Sequence, residues 1–372
     1  MSLLLSSDQH LFAENVRRFV RKTTPLSHVR EVVEEGRSYD TTIWKRLSGE
    51  LGLAGLVVPE SLGGAGATYT ELSVALNELG AALVPSPLLA CTLVTAALEG
   101  TSDQAGQDLL ARIASGEEAS TVALSEPRPE RTWIPVRPAV TVRRDGAEAR
   151  LTGTKTAVLN AGDSRAMVVL ASDGDRRVLC LVDRQSDGVR ITDEPSVDLT
   201  QSRSRVEFTD CEAVVLDLSA DEALVRVQVV ANLALVSQHC GAMRACIDFT
   251  SEYARTRIAF GQPIGTYQGV KHPLADAYCT WELSQVLLRE ATRVADSEGL
   301  AAALAPSAAA RAYCSPSYLE ASVVAIHLHG GIGFTWEHDA HFYYKNALVG
   351  VSMCGDTSHQ LAIVDDHMEG RD

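Results

Sequence analysis

A chain of 372 residues has room for two or three domains and a sizeable core, and is too long for one small module. Its 33 Lys plus Arg against 48 Asp plus Glu give a net charge of −15, a sign that repels phosphate backbones and anionic lipid and so excludes non-specific nucleic-acid binding. Hydrophobic residues at 46% and charged residues at 22% lie near globular averages, which excludes wholesale disorder.

The first residues, MSLLLSSDQHLF, lack the basic and long apolar regions of a leader. No apolar stretch approaches the ~18 to 20 residues of a membrane span, so a cytoplasmic protein outside the membrane is the expectation. Residues 8–118 read as helices: LFAENVRRFVRK sets apolar residues at helical spacing with charges opposite, and ELSVALNELGAALV repeats the pattern after a Gly-rich loop. Ser7 or Asp8 is the expected N-cap of the first helix. From Thr121 to about residue 217 the texture changes to short β-branched runs separated by Gly, Asp and Pro, among them AVTVRR, AMVVLA, RVLCLV and RVEFT, which predict an all-β segment. From Asp221 the helical period returns in long stretches, which predict a bundle. The boundaries, SGEEAS and LDLSADEA, are not Gly/Pro-rich enough for flexible tethers. Cysteines 91, 180, 211, 240, 246, 279, 314 and 354 are scattered without a C-x-x-C pair, so each is expected as a buried or half-buried thiol with no role.

Four segments could carry chemistry. PESLGGAGA (59–67) reads first as a structural turn, since it lacks G-x-G-x-x-G and the Walker pattern. HGGIGFTWEHD (329–339) ends a predicted helix, where two glycines either expose amides to an anion or form a C-cap and turn. Arg257 in RTRIAFGQPIGTYQGVKH (255–272) either grips a phosphate or is a solvated surface cation. In GDTSHQ (355–360) hydroxyls, an acid and an imidazole share a turn before a helix, and Asp356 or Thr357 as a simple N-cap explains it equally well. His327 and His329 are two apart and point about 200° from each other on a helix. His338 and His341 can pair only if their segment is helical, and no carboxylate or cysteine sits at ligand spacing, so no metal site is expected. Ser-His-Asp hydrolysis lacks its G-x-S-x-G elbow.

Taken in order, GLAGLVVPESLGGAGATYTELSVALNELG, ALSEP, DLTQSRSRVEFTDCEAV, YARTRIAFGQPIGTYQGVKHPLAD and LHGGIGFTWEHDAHFYYKNA resemble the acyl-CoA dehydrogenase family along nearly the whole chain. Each motif is weak by itself; five in register are specific. The resemblance implies an α+β multidomain fold with an N-terminal helical domain (1–118), a central β-barrel domain (119–217) and a C-terminal four-helix bundle domain (218–372). It implies FAD, an acyl-CoA or acyl-carrier-protein substrate, and an electron acceptor such as electron-transfer flavoprotein. It also implies homodimers or homotetramers, or a heterotetramer, in which neighbouring subunits complete the flavin sites. In that family a carboxylate abstracts the α proton of an acyl thioester while the β hydrogen leaves as hydride to the flavin, giving α,β-desaturation.

Carried over by position, Leu124 and Ser125 of ALSEP correspond to flavin-edge contacts, and Arg257 and Phe260 to residues that reach the neighbouring subunit's FAD, with Gln268 in the corresponding turn. Gly330 and Gly331 match the glycines that let backbone approach the partner's FAD, and Thr357 matches a hydroxyl of the final loop. His327 and His359 stand where glutamine is common; an imidazole can donate one hydrogen bond as an amide does. KTAVLNAG puts Ala157 and Leu159 where the family has Trp and Thr beside the flavin. The register of the usual catalytic glutamate gives Gly355, with Asp356 one place later, and the alternative base position gives Ala231, followed by Asn232. Asp356, the only acid in the matched loop, is therefore the catalytic candidate. The alternatives are a base supplied by a partner subunit, and a chain that binds flavin or thioester without oxidising it.

Overall fold

The computed structural model describes residues 4–127, 133–145 and 148–370; the first three residues, part of the segment read for a leader, fall outside it. Helices α1 (Ser7–Thr23), α2 (Leu26–Glu34), α3 (Thr41–Gly49), α4 (Tyr69–Ala81), α5 (Leu88–Leu98) and α6 (Gln104–Ser115) come first. Strands β1 (Ser120–Ala123), β2 (Thr141–Asp145), β3 (Glu148–Leu159), β4 (Ala166–Asp173), β5 (Arg176–Asp183), β6 (Val189–Asp193) and β7 (Arg203–Val215) follow. Next come α7 (Ala220–Thr256), a short hairpin of β8 (Ile258–Ala259) and β9 (Gln262–Pro263), then α8 (Gln268–Glu298), α9 (Leu304–His329), α10 (Ala340–Gly350) and α11 (Thr357–Met368). No described helix is long and apolar enough to cross a membrane. The chain divides into two compact units, one of Met1–Glu31, Tyr69–Val84 and Asn232–Asp372, the other of Val32–Thr68 and Pro85–Ala231.

In the second unit the strand pairings form a ring: β4 pairs β5, β5 pairs β7, β7 pairs β3, β3 pairs β2, and β2 returns to β4 through Thr141 and Ser172. Closure removes the open edges that an antiparallel sheet otherwise leaves. β1 runs parallel to β4 and β6 pairs with β7 outside that ring. Its interior is apolar, built on Val140, Leu151, Met167, Val169, Val206 and Phe208. All residues of α5 are buried, as expected for LLACTLVTAAL, which has no polar stripe. Its two hydroxyls are satisfied within the helix, Thr92 donating to the Leu88 carbonyl and Thr95 to that of Cys91.

The first unit is a bundle around the C-terminal part of α7. Cys240 of α7 lies 3.7 Å from Cys314 of α9, Trp281 of α8 donates to the Cys240 carbonyl at 3.1 Å, and Asn232 of α7 donates to Gln360 of α11 at 2.9 Å. α4 crosses α7 closely because glycines face each other: a Cβ on Gly241 would lie 1.8 Å from the Asn77 carbonyl oxygen, and one on Gly80 would lie 2.3 Å from that of Gln238. Asp296 of α8 closes the start of α4, accepting from the Tyr69 and Thr70 amides and the Thr70 hydroxyl.

Two expectations are corrected. α1 is capped by Ser6, not by Ser7 or Asp8, because Ser6 Oγ accepts from the Gln9 amide while Gln9 Oε1 accepts from the Ser6 amide. That reciprocal box needs a Gln or Glu three residues on, and the residues at that spacing from Ser7 and Asp8 are His10 and Leu11. Cys279 is exposed while the other seven cysteines are buried. It follows buried Ala277 of α8 by two positions, about 200° around the helix, and so faces outward.

Candidate flavin and thioester site

The ALSEP turn directly follows β1, and an ion pair inside the second unit fixes it. Lys155 Nζ donates to Glu126 Oε1 at 2.8 Å and to the Leu124 carbonyl at 3.0 Å, with the Lys155 and Glu126 side chains only 0% and 1% exposed. Glu126 also accepts from the Ala139 and Val140 amides. Burial works to raise its pKa, but the Lys155 ammonium and these amides outweigh it and hold the carboxyl below the usual range. Lys155 faces this interior by strand alternation with buried Ala149 and Leu151, and the irregular pairing of β3 with β7 that follows it, between Lys155 and Val158, turns Val158 inward. Within that irregularity Ala157 takes φ +52° and donates its amide to Glu194. Leu124 and Leu159 are buried, and Ser125 is held by its hydroxyl on the Trp133 carbonyl and its own carbonyl on the Thr156 amide.

In the first unit, the end of α7 meets the end of α9. Tyr253 stacks on His329 at 4.3 Å between ring centroids, and His329 Nδ1 lies 2.7 Å from the Ala325 carbonyl. Beyond this contact the carried-over residues face outward. Arg257, Gln268, His327, Gly330 and Gly331 are exposed, and Phe260 is 97% exposed with φ +50°. A Cβ added at Gly330 or Gly331 would meet nothing within 4 Å, so another group can come close to that backbone. The two histidines separate as their spacing requires: His327 is exposed and His329 buried. His338 precedes the first residue of α10, whereas His341 lies within it.

The turn from α10 to α11 carries the remaining candidates. Gly355 has φ +97°, and a Cβ there would lie 2.4 Å from the His359 ring, so both conformation and space call for glycine. Asp356 is the N-cap of α11, with Oδ1 accepting from the His359 amide at 3.0 Å. Gln360, fully buried, directs its amide nitrogen toward the carbonyls of Cys354 and Gly355 and accepts from Asn232. Thr357 is half-buried, and burial lowers the His359 pKa despite the neighbouring Asp356. Ala231 is fully buried, and neither it nor Gly355 is an acid, so the two expected base positions carry no carboxylate.

Sequence reading missed the Lys155–Glu126 pair and the role of Gln360. The available signals were a lysine inside the β-branched run LTGTKTAVL and a glutamine three residues after Thr357.

Within the first unit, an exposed cation with no ion-pair partner among the described residues, an exposed aromatic face and open glycine backbone fit a dinucleotide. Fold and site together define a class of flavin-dependent oxidoreductase. The sequence profile of the acyl-CoA dehydrogenase N-terminal domain matches residues 6–117, and that of the acyl-CoA dehydrogenase C-terminal domain matches residues 230–369. The chain is 30% identical to acyl-CoA dehydrogenase IpdE2 of Mycobacterium tuberculosis over 342 residues, 91% of each chain. Among solved structures it is similar to a glycine-to-alanine variant of the steroid ACAD Tcur3481–Tcur3483, with TM-score 0.88, 29% identity and 98% of both chains covered. It is also similar to the ChsE4–ChsE5 complex from Mycobacterium tuberculosis, with TM-score 0.89, 26% identity and 99% of both chains covered. The chain belongs to the acyl-CoA dehydrogenase family, whose members are FAD-dependent oxidoreductases that act on acyl-CoA.

Proposed function

We propose that the chain is a flavin-sharing subunit of an enzyme that α,β-desaturates an acyl thioester, and that a homologous partner chain supplies the proton-abstracting carboxylate. One observation carries this reading: the single acid of the final loop, Asp356, caps α11, while Gly355 and Ala231 occupy the two expected base positions. The two similar structures named above are each designated by a pair of chain names, which supports a hetero-oligomer. FAD, when bound, accepts the β hydrogen of the thioester as hydride.

This chain's own residues bind and orient. Arg257 offers a planar fork to a phosphate, and Phe260 offers an exposed ring. Gly330 and Gly331 leave backbone approachable, and Thr357 with His359 presents a hydroxyl and an imidazole at the start of α11. In the second unit, Leu124 and Ser125 sit on a turn held by Lys155. The carrier, coenzyme A or an acyl carrier protein, and the bulk of the acyl group define the substrate to be tested.

The test is to purify the chain alone and co-expressed with each homologous dehydrogenase chain of the same genome. Flavin absorbance is then followed anaerobically with short, medium and steroid-derived acyl-CoA. Little flavin alone, and a yellow complex that bleaches with one partner, is the expected result. A second reading, Asp356 as the base, draws on its capping bond using only Oδ1. A yellow chain that bleaches alone, and stops doing so as Asp356→Asn, establishes that reading and overturns the first.

A further inference from the structure

We infer that Arg311 is a positioning residue for the turn between α10 and α11, the segment that carries Asp356, Thr357 and His359. Arg311 sits within α9 at 1% exposure, and no acidic side chain pairs with it among the described residues. Its Nη2 instead donates to the Gly350 carbonyl at 2.5 Å and to the Met353 carbonyl at 2.9 Å. Gly350 is the last residue of α10, so the guanidinium meets the negative end of that helix's dipole, which stands in for a counter-ion. Burial lowers its pKa to about 10, which leaves it charged at neutral pH.

The position admits little substitution. A Cβ on Gly350 would lie 2.6 Å from His239 Nε2, so α7 packs against the same carbonyl end from another direction. Directly after the Met353 contact, the chain turns through positive φ at Cys354 and Gly355, and the Asn232–Gln360 pair holds the far side. Arg311 thus fixes the near side of the turn and Gln360 the far side. Among the described residues Arg311 Nε and Nη1 are buried without partners, so the two carbonyl bonds are the contacts that hold the charge in place. This inference rests on the reading above only in taking the turn as a flavin contact.

The experiment compares wild type, Arg311→Met and Arg311→Lys by amide hydrogen exchange, then by FAD retention in whichever assembly of the wild type holds flavin. The expected result for Arg311→Met is exchange faster by about tenfold or more in 351–360, with α7 and α9 changed by less than about twofold, and Arg311→Lys between. FAD should dissociate about tenfold more readily in step with the loosened turn. Unchanged exchange in 351–360, or acceleration spread equally over α7 and α9, overturns the inference and leaves Arg311 a general core residue. Unchanged FAD retention with a loosened turn overturns the flavin part of it. If Arg311→Met does not fold, Arg311→Lys decides by the same criteria. A wild type that holds no flavin in any assembly counts against the proposed function, while the exchange result still decides whether Arg311 positions the turn.

Discussion

Asp356 illustrates how one side chain can satisfy two sequence patterns. As the only acid of the final loop, one place past the register of the family's glutamate, it is offered as a base, and its position before α11 offers it as a cap; the Oδ1 bond to the His359 amide realises the second. Asp356→Asn should keep the cap and change stability by a few tenths of a kcal/mol, whereas Asp356→Ala should cost about 1 kcal/mol. Urea unfolding of the three proteins measures this, and equal midpoints would mean that the bond contributes nothing. The cap was legible in GDTSHQ, since an acid before a helical period is a local signal. The anchoring of the neighbouring Gln360 was not, because the Asn232 contact joins positions 128 apart.

Among elements, β3 shows how a strand pattern can conceal its most informative residue. LTGTKTAVL reads as a β-branched run, and strand alternation places its one cation on the interior face, where Glu126 pairs with it. Breaking a buried pair leaves an uncompensated charge, so Lys155→Met alone should cost about 3 to 5 kcal/mol, and the double variant with Glu126→Leu should recover much of that. Thermal melts of single and double variants test it; additive losses would mean the two residues are not coupled. The sign of the pH effect follows from the depressed Glu126 pKa. Its contribution is fully present above the unfolded-state value and is lost as pH falls through the lower folded-state value. Melting temperature should therefore drop more steeply below the ordinary carboxylate range in wild type than in Glu126→Gln.

At the scale of the molecule, Phe260 at 97%, Phe334 at 78% and Ile258 at 56% are exposed apolar side chains of the C-terminal segments, an arrangement suited to cover by another subunit. Phe260 also holds φ +50°, a costly backbone for an exposed side chain whose ring meets the edge of Tyr267. Phe260→Ala should change stability of the isolated chain by less than about 0.5 kcal/mol while weakening subunit association and FAD retention. Gel filtration of the co-expressed complex reads both, and an unaltered profile would remove Phe260 from the interface.

The sequence by itself determined the order of elements, because the period of apolar residues distinguishes helix from strand locally, and it determined the family, because five motifs keep their register along one chain. Only the tertiary structure decided which charges are interior and what they hold. Lys155 reaches Glu126 across 29 positions and Arg311 reaches the Gly350 carbonyl across 39, through a barrel closure and a helix packing that no local pattern encodes. Burial converts these side chains from surface cations into fixed anchors, and burial is set by what the rest of the chain places around them.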